Sequence, residues 1–217
     1  MPPPMPDPVR STLDPIRIVA DGYDAIADRY LAWSSTAPVR LRYLERLLEL
    51  LPAASDVLEL GCGAGEPVTR RLAERHRLVA VDVSSRQLEL AARSAPGAQL
   101  LLADMLEVAF APDSFDAVVA FYSLTHVPRA HHADLLARIV EWVRPGGLVL
   151  MTMGAADNPG SVEDDWLGAP MYFSHFDSAT NRALVQRSRI RILSADLVEE
   201  DARDAGARFL WVTGRVD

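Results

Sequence analysis

Apolar and polar positions along this chain switch repeatedly between a helical and a strand-like spacing, and each switch marks an element. Leu41, Leu44, Leu48 and Leu51 recur on one face, which predicts a helix over about 39–51, stopped by Pro52. Short runs of leucine and β-branched residues predict strands over about 56–60, 78–83, 99–103, 115–121 and 148–153. Helices are expected between them over about 67–75, 85–95 and 129–143, with Arg144-Pro145-Gly146-Gly147 as a turn. Tyr23 to Tyr30 reads as a further short helix, and a helix over 178–187 precedes two late strands over 190–194 and 208–214. Residues 154–176 mix Gly, Pro and aromatics without a clear period and read as an irregular, lid-like insertion. Strands alternating with helices imply βαβ crossovers and a sheet that is parallel in its main part.

The chain has 217 residues, of which 49% are hydrophobic, enough for one domain with a full core. Residues 1–14 read as a flexible, proline-rich lead-in and 15–217 as the single domain. One cysteine leaves no internal disulfide, and no Cys/His cluster points to a metal. The net charge of −8 argues against a nucleic-acid partner, which needs a concentrated basic face. No apolar window approaches a membrane span and the amino terminus lacks the pattern of a signal peptide, so a soluble, cytoplasmic protein is expected.

Candidate chemistry concentrates at Glu59-Leu60-Gly61-Cys62-Gly63-Ala64-Gly65-Glu66-Pro67. A strand, a glycine turn and a helix start form the nucleotide-binding corner of a doubly wound sheet. The spacing is G-x-G-x-G rather than the dinucleotide G-x-G-x-x-G, with Glu66 where a third glycine would stand. A carboxylate there suits a cationic ligand better than a pyrophosphate. The next strand ends at Asp82, 17 positions after Gly65, where an acid accepts both ribose hydroxyls, and Ser84 or Ser85 can cap the following helix without its help. The third strand ends at Asp104-Met105, an acid suited to the amine of adenine beside an apolar face. Cys62 reads as a small residue filling the turn, with no neighbouring cation to activate a thiol.

The run from Glu59 to Gly65 closely resembles the first motif of class I S-adenosylmethionine-dependent methyltransferases. Phe115-Asp116-Ala117-Val118-Val119-Ala120-Phe121-Tyr122-Ser123 resembles the fourth-strand motif of that family, and Arg144-Pro145-Gly146-Gly147-Leu148 the turn and fifth strand that follow. The resemblance covers about residues 20–155 and is of the small-molecule type. It implies a Rossmann-like, doubly wound α/β fold with a mainly parallel seven-stranded sheet, an antiparallel last strand and an acceptor lid. S-adenosyl-L-methionine is the implied cofactor. Glu59 would order the loop near the methionyl ammonium; Gly61, Cys62, Gly63 and Gly65 would lie along the homocysteine and ribose; Asp82 would bind the ribose. Val83, Asp104 and Met105 would meet the adenine, and Phe121 the methionine portion. Tyr23 and Tyr30 match a Tyr-Asp-x-x-Ala-x-x-Tyr pattern that closes over the cofactor in relatives.

The implied activity is methyl transfer to a small organic acceptor, such as a specialised metabolite. His126, after the fourth strand, and His175, in the aromatic segment, are the candidate bases or substrate contacts. Trp166, Met171, Tyr172 and Phe173 are the candidate lid residues that would face a partly apolar acceptor. His131 and His132 read as solvated helix residues and Glu199-Glu200-Asp201 as a solvated loop. Two other classes compete: a methyltransferase fold that binds cofactor without transferring methyl, and an NAD(P)-dependent oxidoreductase. The latter shares the glycine turn and Asp82 but leaves Glu66, Asp104 and the fourth-strand motif unexplained.

Overall fold

A computed structural model describes residues 14–34, 38–199 and 206–217. The proline-rich lead-in up to residue 13, and Glu200 and Asp201, lie outside the described residues. Helix α1 (Pro15–Ser34) opens the described chain and α2 (Pro38–Leu50) follows. Then come β1 (Asp56–Leu60), α3 (Val68–Ala73), β2 (Arg77–Asp82), α4 (Ser85–Ser94), β3 (Gln99–Leu102) and β4 (Phe115–Ala120). After α5 (His132–Trp142) and β5 (Val143–Gly154), β6 (Asn158–Trp166) and β7 (Ala169–His175) form a separate hairpin. Helix α6 (Ser178–Arg187), β8 (Ile190–Glu199) and β9 (Arg208–Val216) complete the fold.

The main sheet has seven strands in the order β3-β2-β1-β4-β5-β9-β8. The pairs from β3 through β5 are parallel, and β9 runs antiparallel to both neighbours. Its central strands are buried on both faces, which is why Val57-Leu58 and Val118-Val119 read as continuous apolar runs. One face packs Leu58, Val118, Met151 and Val212 against Leu136 and Ile139 of α5; the other packs Val57, Leu150 and Trp211 against Tyr43, Leu47 and Leu72. The order reverses between β1 and β4, so the carboxyl ends of β1, β2 and β4 open a crevice at the switch point.

Several expectations need correction. Helix α1 has 20 residues rather than the short stretch 23–30, because Asp14 accepts the N–H groups of Ile16 and Arg17 and Pro15 occupies the first turn. Residues 154–176 are an ordered β-hairpin, not an irregular segment: Leu167 and Gly168 both take positive φ (54° and 97°), which makes a tight two-residue turn. The Arg144–Gly147 turn lies within β5, where the register with β4 shifts. His132 is buried, with Nε2 against the Val127 carbonyl at 3.0 Å, rather than solvated. Glu199 belongs to β8 rather than a loop, and β4 ends one residue before Phe121. The buried stripe of α2 runs through Arg40, Tyr43, Leu44, Leu47 and Leu48; Leu41 flanks it.

Candidate active site

The glycine turn leaves β1 with Gly61, Gly63 and Gly65 at φ of 79°, 54° and 83°, a backbone that side chains with a Cβ rarely adopt. At Gly61 the constraint is also steric, since a Cβ would overlap the side chain of Ser123. Ser123 in turn donates to the Leu60 carbonyl at 2.6 Å, fastening the end of β1 to the segment after β4. Asp82 ties the turn to β2: one carboxylate oxygen accepts the N–H of Gly63 at 2.7 Å and the other the N–H of Ser84 at 2.9 Å. Ser84 caps α4, which frees Asp82 from that task.

A cleft opens above these residues. Gly61, Gly63, Asp82, Val83, Asp104, Met105 and Phe121 line it, and Tyr23, Tyr30 and His126 form its far wall. Ten of the expected cofactor and catalytic residues therefore meet in one cavity. Glu59, Cys62 and Gly65 lie behind the turn instead. Gly65 faces Ala91 and Ser94 of α4, and Cys62 is buried with a thiol that burial pushes well up and so keeps inert. Glu66 pairs with Arg70 at 2.9 Å. His175 does not reach the cleft. Its Nδ1 sits 2.6 Å from the Ala156 carbonyl, and its ring packs on Gly154.

The hairpin closes against α1. Trp166 meets Tyr23 and Tyr30 with ring centroids 5.7 and 5.8 Å apart, and Phe173 packs on His126 at 4.9 Å. Met171 is fully buried beneath Gly22, where a Cβ would stand 2.6 Å from the Pro170 carbonyl. Tyr172 contributes its carbonyl, 2.8 Å from His126 Nδ1. The hairpin thus backs the far wall, with Trp166, Phe173 and the Tyr172 carbonyl packed behind Tyr23, Tyr30 and His126 and Met171 serving the packing; the expected lid residues do not themselves line the cleft.

Burial governs the electrostatics. Asp82 is raised to about 6 by desolvation, opposed by the N–H groups it accepts. Glu59 is pushed further, to about 8, since it is only 2% exposed and its Oε2 has no partner. Desolvation lowers His126 to about 4, so its imidazole is neutral. Sequence reasoning missed Arg40. Its buried guanidinium donates to the Tyr30 hydroxyl at 3.0 Å and lies 4.5 Å from the centre of the Tyr122 ring, while its Nε has no partner. The available signal was an arginine inside the apolar stripe of α2. An orphaned cationic donor beside one end of the cleft, and a buried acid at the other, suit a nucleoside that carries a carboxylate tail. No group of His, Cys, Asp and Glu among the described residues could hold a metal.

Residues 57–147 match the family model described as a methyltransferase domain. The matched segment is a methyltransferase domain, and its sheet order and glycine turn are of the kind found in class I S-adenosylmethionine-dependent methyltransferases. Among curated relatives it is 29% identical over 171 residues to the 27-O-demethylrifamycin SV methyltransferase of Amycolatopsis mediterranei, spanning 68% of this chain and 62% of that one. It is also 29% identical over 136 residues to a tRNA (carboxymethyluridine(34)-5-O)-methyltransferase of Arabidopsis thaliana, spanning 62% and 32%. The chain thus spans less than two thirds of the length of either relative. Among solved structures, the Burkholderia thailandensis 1,6-didemethyltoxoflavin-N1-methyltransferase, with bound 1,6-didemethyltoxoflavin and S-adenosylhomocysteine, aligns with a TM-score of 0.73. That alignment covers 99% of this chain and 94% of the other at 21% identity, a likeness of fold.

Proposed function

We propose that this protein moves the methyl group of S-adenosyl-L-methionine to a small organic acceptor. The observation that carries the reading is the buried carboxylate of Asp82, held against the N–H of Gly63 in a cleft shared with Asp104 and Met105. Each Asp82 oxygen keeps a lone pair for a ribose hydroxyl. Asp104 and Met105 meet the adenine, with Val83 beside it, and Arg40 with Tyr30 takes the carboxylate tail. Glu59, behind the turn, supports the loop beneath the ammonium. The cofactor supplies an activated methyl on a sulfonium. The protein's share is alignment and exclusion of water, effects worth up to roughly 7–11 kcal/mol when geometry is good.

The aromatic wall of Tyr23, Tyr30 and Phe121 favours an acceptor with an apolar or ring-bearing body. The net charge of −8 and an acidic outer hairpin strand, Glu163-Asp164-Asp165, favour a small molecule over a nucleic acid. No helix among the described residues is long and apolar enough to cross a membrane.

Calorimetric titration with S-adenosylmethionine and, in parallel, with NADH tests the assignment. Micromolar binding of the first and none of the second is the expected result. Binding of NADH alone would return the oxidoreductase reading, and binding of S-adenosylmethionine without turnover across an acceptor panel would favour a cofactor-binding module.

A further inference from the structure

His126 faces the cleft, yet neither ring nitrogen is free for an acceptor. Nδ1 lies 2.8 Å from the Tyr172 carbonyl, and Nε2 lies 2.9 Å from the Tyr23 hydroxyl. A carbonyl oxygen can only accept, so the proton of the neutral ring sits on Nδ1. Nε2 is then an acceptor, and the Tyr23 hydroxyl must spend its one proton on it. At the other end, an arginine can only donate, so Arg40 gives a hydrogen bond to the Tyr30 oxygen at 3.0 Å. The Tyr30 ring meets the Tyr23 ring edge-on, at 5.0 Å between centroids. From Tyr23 to Tyr172 the hydrogen bonds run in one direction, fixed by the pure acceptor at the end.

We propose that this row, running from Tyr23 through His126 to the Tyr172 carbonyl, leaves only oxygen lone pairs of Tyr23 for the acceptor, so that the cleft selects nucleophiles carrying a proton, hydroxyls or amines, and turns away carboxylates. The proposal rests on the methyltransferase reading. A hydroxyl or amine can give its proton to the Tyr23 oxygen as a hydrogen bond, which points its lone pair away from Tyr23 and into the cleft. A carboxylate would set lone pairs against lone pairs, close to the buried charge of Asp82, which already acts on Tyr23. Burial supports the arrangement by keeping His126 neutral. Tyr23 is the residue that touches the acceptor; His126 is a positioning residue that acts through it.

Two readouts test this without turnover. Nitrogen-15 NMR of the histidines in the full chain, without ligand, reads the His126 tautomer directly: a protonated Nδ1 and bare Nε2 at neutral pH is expected. A protonated Nε2 overturns the proposal whether or not the methyltransferase reading stands. The chain is then loaded with S-adenosylhomocysteine, whose failure to bind would sink the methyltransferase reading alone. To the loaded protein, 4-methylphenol and 4-methylbenzoate are added as probes while the His126 and Tyr23 signals are followed. The phenol should shift both signals and bind about tenfold more tightly than the benzoate, a preference that Tyr23→Phe removes. Equal binding, a preference for the benzoate, or no shift with either probe overturns the proposal. If Tyr23→Phe does not fold, the wild-type tautomer and probe preference decide.

Discussion

The carboxylate of Asp82, at the carboxyl end of β2, holds the N–H of Gly63 at 2.7 Å, so one side chain both shapes the glycine turn and faces its ligand. Asp82→Asn keeps the size but replaces one acceptor oxygen by a donor, which then opposes an N–H of Gly63 or Ser84. Calorimetry should show S-adenosylhomocysteine binding weakened by roughly 1–3 kcal/mol, since hydrogen bonds to a charged group are lost. An unchanged affinity would remove Asp82 from the ribose site.

The same residue gives the cleft a pH dependence. Desolvation raises Asp82 to about 6, so the ligand-free site gains a proton as the pH falls through that value. A protonated carboxyl has lost acceptor capacity for two ribose hydroxyls. Adenosine, which carries no competing charge near neutrality, should therefore bind progressively more weakly below about pH 6. Asp82→Asn should flatten that profile, and an identical profile in the variant would assign the titration elsewhere.

Gly61→Ala tests the turn by volume rather than charge. The backbone there has φ of 79°, and the new methyl would overlap Ser123. Ser123 cannot retreat without losing its bond to the Leu60 carbonyl. A loss of roughly 1–3 kcal/mol in stability and a comparable loss of cofactor affinity are expected from thermal melts and calorimetry.

Asp24 fastens the far wall of the cleft. It accepts the Ser84 hydroxyl at 2.5 Å and the Arg86 N–H at 2.9 Å, so α1 is pinned to the amino end of α4. A carboxylate at that end also meets the positive pole of the helix. Asp24→Ala should cost about 1–2 kcal/mol. Hydrogen exchange should speed up in α1 and in the hairpin while β1 and β4 stay protected; uniform acceleration would mean that α1 is no separate unit.

The parts of this molecule that were legible in the sequence are those where local chemistry and tertiary position agree. β1 matches its expected bounds of 56–60, and α6 its expected 178–187, because turn and cap residues flank them: Pro52 and Gly61 for the strand, Asp177 as N-cap for the helix. The hairpin was hidden because β6 is exposed along most of its length and shows no apolar alternation; only the Leu167-Gly168 turn marked it. His126 stood out as a candidate base, but its hydrogen-bond partners, Tyr23 and Tyr172, are 103 and 46 residues away, a separation no local pattern reports. Arg40 went unnoticed because helix periodicity alone does not show which stripe is buried.

The last prediction concerns two buried groups that pull stability in opposite directions. Glu59 is raised from its ordinary 4.5 to about 8, so the folded chain binds a proton more tightly there than the unfolded chain does. Its penalty is absent below about 4.5, grows between 4.5 and 8, and is complete above 8, where folding must bury an ion with an unpartnered oxygen. His126 is lowered from 6.5 to about 4, so the unfolded chain binds the proton more tightly. Its contribution to stability is complete above 6.5 and is lost as the pH falls towards 4. Denaturant unfolding of the ligand-free protein should therefore show Glu59→Gln more stable than wild type at pH 9 and nearly equal to it at pH 4.5, a crossover of several kcal/mol at most. If Glu59→Gln instead lowers stability equally at both pH values, the carboxylate is ionised and partnered in the folded chain, and support of the glycine turn rests on its charge.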